Sequence, residues 1–209
     1  MTRLVDLSHE IRSGMVTYPG LPAPVVCDFW SRADHAFHIA KIEMVANTGT
    51  YLDTPFHRYA DGADLAGIAL ACCAERPAVV VRAPGARTIG ADAFAGLAVR
   101  DCAVLVHTGW SRHWGTDAYA HGHPHLDEAA AVALRDGGAA LVGIDSLNID
   151  DISGPRRPVH ETLLAAGVLI VEHLCNLEQL PDDGFAFSAV PPKFKGVGTF
   201  PVRAFAHVP

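Results

Sequence analysis

Charge, aromatic residues and long apolar runs are all scarce in this sequence. Of its 209 residues, 19% are charged and 8% aromatic. No run of about 18 apolar residues occurs, so no membrane-spanning helix is expected. Net charge is −7, with no basic stripe, which argues against nucleic acid as a partner. The opening Met1-Thr2-Arg3-Leu4-Val5-Asp6 has an acid at position 6 and no apolar core, unlike a secretory signal. The five cysteines (Cys27, Cys72, Cys73, Cys102, Cys175) are odd in number and lack CxxC spacing. They read as reduced, mostly buried thiols in a cytoplasmic protein. Low-complexity tracts, internal repeats and long linkers are also missing, so residues 1–209 are expected to form one domain. Half the residues are hydrophobic, enough for a substantial core.

Strand-length apolar runs recur at 78–83, 103–106, 139–144 and 168–171. Their β-branched, non-alternating character suits strands buried on both faces. Between them lie helical patterns. The clearest is 127–135, with a capping Asp127, early Glu128, alanine filling and Arg135 before Gly137-Gly138. Shorter ones occur at 160–166 and 91–96. This alternation predicts an α/β fold with parallel strands. The first 60 residues alternate more, as in 37–45, and predict strands with one wetter face.

Histidine is abundant, at 12 residues. It is a frequent metal ligand and acid–base group, so convergence matters. Asn47, Tyr51, Asp53 and His57 lie close together around Gly49 and Pro55. An extended 47–53 would project 47, 49, 51 and 53 to one side, with Gly49 leaving room for a ligand or ion. Asp53 then suits a metal ligand or orienting carboxylate, and His57 a general base. The plainer alternative is a turn capped by Asp53 with a surface His57. Farther along, Glu172 closes an apolar strand, where α/β sheets collect ligands, and His160 opens the preceding helix. An isolated buried carboxylate is costly, so Glu172 should coordinate an ion or pair with an arginine such as Arg156 or Arg203. Asp145-Ser146 either joins this pocket or caps a turn. His121, His123 and His125 resemble a metal spacing, but their Gly/Pro-containing setting reads as a solvated loop. His38, Phe56, Trp110 and Trp114 are candidate pocket walls, with a satisfied half-buried histidine the commoner reading of His38 and core packing that of Phe56. His173 should face away from Glu172, and His9 and His207 carry no assignment.

Many short motifs occur in the order of one known family. They include Asp6-Leu7-Ser8, Tyr18-Pro19-Gly20, residues 47–57, Thr108-Gly109-Trp110, Gly143-Ile144-Asp145-Ser146, His160-x-x-Leu163-Leu164 and Glu172-x-Leu174-x-Asn176-Leu177. The chain resembles the cyclase family of metal-dependent hydrolases, which includes bacterial kynurenine formamidase and isatin hydrolase. That resemblance implies a swivelling β/β/α domain with a mixed β-sheet. It also implies a homodimer or homotetramer, with the N-terminal segment near a neighbour's pocket. The family signature, His-x-Gly-Thr-His-x-Asp-x-Pro-x-His, is matched at Gly49, Thr50, Asp53, Pro55 and His57. It fails at Asn47 and Tyr51, where the family has two metal-binding histidines.

Carried over by resemblance, Asp53, His160 and Glu172 are metal ligands and His57 is the proton donor and acceptor. Asparagine and a neutral phenol are poor replacements for imidazole, so one of the family's two ions should be missing. The expected cofactor is at most one divalent ion, zinc or manganese. Tyr18, Asn47 and Tyr51 are the candidate substrate-binding residues. Tyr18 matches a stacking position held by tryptophan in kynurenine formamidase, which argues against that activity itself. The expected reaction is hydrolysis of an amide, lactam or ester carbonyl in a small cyclic or aromatic molecule. One alternative is a metal-free isomerase, dehydratase or cyclase using Asn47, Tyr51 and His57. Another is a non-catalytic binding protein on the same fold.

Overall fold

A computed structural model describes residues 2–209. Nine strands form one mixed sheet. In chain order these are β1 (Arg3–Asp6), β4 (Tyr51–Asp53), β5 (Arg76–Arg82), β7 (Ala103–His107), β9 (Leu141–Ile144), β10 (Leu169–Glu172), β11 (Phe185–Ser188), β12 (Thr199–Pro201) and β13 (Phe205–Val208). Across the sheet they run β1-β13-β11-β5-β7-β9-β10-β4-β12. The pairs β5–β7, β7–β9 and β9–β10 are parallel, as the apolar runs predict. The flanking pairs are antiparallel, so the sheet is mixed and the α/β expectation holds.

Successive residues of the parallel strands serve two cores. Val104 and Val106 pack with Val142, Ile144 and Ile170 beneath two helices, α2 (Glu128–Gly137) and α3 (Pro158–Ala165). On the other face, Leu105 joins Leu141, Leu169 and Val171 against Val5, Phe187 and Ala206 from the antiparallel flank. Both faces are dry, which is why these runs carry no polar alternation. The caps of α2 follow the sequence. Asp127 accepts from the Ala130 N–H at 2.8 Å, and Gly138 adopts φ +81° just beyond the helix. The second helix starts earlier than expected because Pro158 fits its first turn. The segment at 91–96 shortens to one 3₁₀ turn over Ala91–Phe94.

The N-terminal region departs further from expectation. Strands β2 (Val25–Trp30) and β3 (Ile39–Glu43) pair as an antiparallel ribbon around a short helix, α1 (Arg32–His35). Every residue of both strands is exposed, so neither face is the dry one. A second ribbon joins β6 (Thr88–Ile89) to β8 (His125–Leu126). All five cysteines are free, but only Cys73 and Cys175 are buried, contrary to the mostly buried expectation. Among the described residues, no helix is long and apolar enough to cross a membrane.

Candidate active site

Strand register places the central groups. Tyr51 of β4 lies opposite Glu172 of β10, so the two side chains share a face. The Tyr51 hydroxyl donates to Glu172 Oε2 at 2.6 Å. Two residues on, Asp53 projects to the same face and lies opposite Thr199 of β12. The Thr199 hydroxyl donates to Asp53 Oδ1 and lies 2.8 Å from His57 Nδ1. One hydroxyl has one proton, so Thr199 accepts from an Nδ1–H of His57. This arrangement leaves His57 Nε2 with its lone pair.

His160 enters from the first turn of α3. Asp150 is fully buried and holds the start of that helix. Its carboxylate accepts from the backbone N–H groups of Val159 and His160 and from His160 Nδ1 at 2.6 Å. The other ring nitrogen, Nε2, stands 3.8 Å from Asp53 Oδ2 and 3.7 Å from Glu172 Oε1. Glu172 Oε1 is further fixed by the Ile149 N–H at 2.6 Å. Asp53, His160 and Glu172 thus gather three ligand atoms within 4.8 Å of one another, all buried. These residues surround the floor of a cleft of about 270 Å³ that Tyr18, Asn47, Tyr51 and His57 also line.

The donor set fits one divalent cation. Asp53 Oδ2 is buried with no hydrogen-bond partner, and the Asp150 bond directs the His160 lone pair inward. Two carboxylates and one imidazole leave coordination positions open, as catalytic zinc sites do. The buried acids and imidazole shift one another's protonation. Burial pushes the Glu172 carboxyl up to about 7, against the pull of His160. Burial opposes charging of His160, yet Asp150, Asp53 and Glu172 lift it to about 10. Burial also raises Asp53, but the neighbouring His160 and His57 and the Thr199 hydroxyl hold it below the usual carboxylate range.

No second group of three ligand-type side chains converges among the described residues. Glu172 Oε2 is already engaged by Tyr51, whose phenol is held well above 10 by burial and by the Glu172 charge. It therefore remains a neutral donor. His173 Nε2 lies 3.3 Å from the same hydroxyl, and its Nδ1 lies 2.9 Å from Tyr119.

Several expectations need correction. Residues 47–53 are not one extended run: only Tyr51–Asp53 is strand, and Gly49 turns at φ +68°. A Cβ on Gly49 would come within 2.8 Å of Ile11, so that side holds packing instead of ligand space. The Glu172–arginine pair does not form, because Arg156 pairs with Glu128 and Arg203 with Asp6. His173 does not face away. The strand ends at Glu172 and His173 takes φ +57°, turning its buried ring back beside Tyr51. His38 pairs with exposed Asp28, and Phe56, Trp110 and Trp114 are not among the cleft's lining residues. Trp114 instead stacks on His9 at 4.0 Å. Asp145 caps the Thr108-Gly109 turn through three bonds. His123 and His125 are buried, on the Asp150 carbonyl and beside Thr88, and not in a solvated loop.

Sequence reasoning missed Thr199, Asp150, Asn148, Arg58 and Arg157, the last three of which line the cleft. Nothing local marks Thr199 or Asp150. Arg157 stands three residues before His160, and that proximity was its one available signal.

Fold and site together define a mixed α/β domain with a carboxylate–imidazole cluster beneath a small cleft. Residues 5–151 match the family described as "Putative cyclase", and the chain belongs to that family. Kynurenine formamidase of Geobacillus thermodenitrificans is 25% identical over 207 residues, spanning 98% of this chain and 97% of the relative. The enzyme of the same name from Bacillus cereus is 25% identical over 203 residues, covering 96% and 95%. Among solved structures, one titled a potential metal-dependent hydrolase with cyclase activity superposes with a TM-score of 0.85 at 28% identity, covering 100% of this chain and 99% of the other. Isatin hydrolase A from Labrenzia aggregata, bound to benzyl benzoate, shares the fold with a TM-score of 0.87 at 24% identity, covering 99% and 94%.

Proposed function

We propose that the protein hydrolyses an amide, lactam or ester carbonyl of a small cyclic or aromatic molecule. One zinc or manganese ion would be held by Asp53, His160 and Glu172. The observation that carries this reading is the buried convergence of those three ligand atoms, with unpartnered Asp53 Oδ2 among them. The names of the relatives, formamidase and isatin hydrolase, support carbon–nitrogen bond cleavage. A bound ion supplies Lewis-acid polarisation of the carbonyl and a lowered pKa for water.

The chain's own groups do the rest. His57, about one-third exposed at the cleft, offers Nε2 as general base and returns the proton to the leaving group. Thr199 holds its tautomer and passes the constraint to Asp53. Tyr18 and Asn47 border the space for a flat substrate. The metal-free isomerase or cyclase reading has less support, because the Tyr51 proton is committed to Glu172 and not to a substrate oxyanion.

The exposed ribbon favours a homodimer or homotetramer as the working assembly. Phe29, Trp30, Ile39 and Ile42 are apolar and uncovered, and Tyr18 and Leu21 of the adjoining segment reach the cleft. Five free thiols suit the reducing cytoplasm, where we place the protein.

The test is hydrolysis of aryl formamides and aryl esters by the metal-loaded protein and by His57→Ala. We expect a roughly 10²–10⁴-fold loss in kcat, the range for removing a general base. Equal turnover by the variant would falsify the assignment of His57. Absence of any turnover with a tightly bound aryl ligand would favour a binding protein.

A further inference from the structure

Arg58 and Arg157 line the cleft and Arg156 adjoins Arg157 before α3, and the three differ in how their charge is met. Arg58 Nη2 is paired with Glu161 Oε1 at 2.5 Å. Arg156 is paired with Glu128 at 3.2 Å. Arg157 has no carboxylate partner among the described residues. Its Nη1 faces the backbone carbonyls of Asp151, Gly154 and Arg156, at 3.3, 2.7 and 2.7 Å. Its Nε and Nη2 donate to no acceptor among the described residues.

This placement is specific. Arg157 lines the cleft and immediately precedes α3, three residues before His160. The nearby acids are otherwise engaged. Asp150 spends its carboxylate on the start of α3 and on the His160 ring, and Asp151 caps Ser153. Asp53 and Glu172 face His160 at the floor. A half-buried guanidinium whose stem is pinned by carbonyls, with two donor nitrogens unused, is preorganised for a carboxylate. The protein as a whole carries −7, so general attraction of anions does not account for it.

We infer that Arg157 makes this cleft selective for substrates bearing a carboxylate. The inference rests on the cleft being the substrate site of the proposed hydrolase. The acyl compound would enter with its aromatic or cyclic part beside Tyr18 and its carboxylate on Arg157. Its scissile carbonyl would then face the Asp53–His160–Glu172 floor. Neutral amides and esters of the same shape would be the weaker ligands.

Binding, measured without turnover, separates this idea from the hydrolase assignment. Calorimetric titrations would compare 3-phenylpropanoate with its uncharged isostere, 3-phenylpropanamide. Each would be run on full-length protein stripped with chelator and again with one equivalent of zinc. Wild type should prefer the carboxylate by ~10-fold or more in both states, the size of one charged hydrogen bond. R157Q should lose that preference while binding the amide within about twofold of wild type, since only the charged donor is gone. R157K should keep a reduced preference as a point charge. If R157Q disturbs the 151–156 loop and weakens the amide too, R157K decides: a preference retained supports the inference, and one abolished overturns it. Three other results also overturn it. They are an unchanged preference in R157Q, a preference seen only with zinc present, and a wild type that does not favour the carboxylate or binds neither ligand.

Discussion

Tyr51→Phe is the sharpest probe of why this chain departs from its family's signature. The substitution keeps the ring, which is 2% exposed, and deletes one oxygen. That oxygen donates to Glu172 Oε2 at 2.6 Å and lies 3.3 Å from His173 Nε2. A hydrogen bond to an ionised carboxylate contributes ~1.5–3 kcal/mol, and its loss here leaves a buried oxygen uncompensated. For a chain of this size, 1 kcal/mol moves Tm by ~2–4 °C, so a fall of roughly 3–12 °C is expected in metal-free protein at pH 8. The fall should shrink at pH 6. Glu172 titrates near 7, so the neutral acid there needs the donor less. Differential scanning calorimetry at both pH values reads this directly. Identical melting of variant and wild type at pH 8 would refute the claim that Tyr51 stabilises the carboxylate. Metal analysis adds a second arm. Wild type and Tyr51→Phe should each hold one equivalent, and the double variant Asn47→His, Tyr51→His should hold two. Two tightly bound equivalents in wild type would sink the one-ion reading.

Thr199→Val keeps shape but removes the hydroxyl between Asp53 and His57. Its kcat should fall while KM holds, by less than the ~10²–10⁴-fold expected for loss of His57 itself; unchanged kcat would show that the tautomer needs no such support. Stability should also respond to acid through His173. Burial lowers its folded value to about 3, against an unfolded value of 6.5. The unfolded chain therefore takes up the proton first, and this contribution is complete above pH 6.5 and drains away toward pH 3. Between pH 6.5 and 5 the loss is about 2 kcal/mol, read by urea unfolding. His173→Asn, which tolerates the positive φ, should flatten that slope; an unaltered slope would assign the acid sensitivity elsewhere.

The sequence revealed most where local pattern and tertiary role coincide. The four parallel strands announce themselves because burial on both faces removes polar alternation. Asp127 and Gly138 mark α2 because caps are local chemistry. Asp53, His160 and Glu172 were legible as polar groups at element ends, and the fold brings them together. Thr199 was not, because its role comes from an antiparallel register with a strand 146 residues earlier. His173 was misread by extending a strand that stops one residue sooner. The ribbon of β2 and β3 misled in another way: its alternation implies a covered face that a single chain does not supply.

The short strand β4 sits between β10 and β12, so both of its neighbours come from the last 41 residues of the chain. Gly198 presses so close that an added Cβ would run into the backbone of His57. The signature segment thus acquires both flanking strands from chain that lies more than 110 residues farther on. Contacts of such long sequence separation close slowly. The chemistry of this protein is therefore a late product of its own folding, because the strands that frame the site also complete the core beneath it.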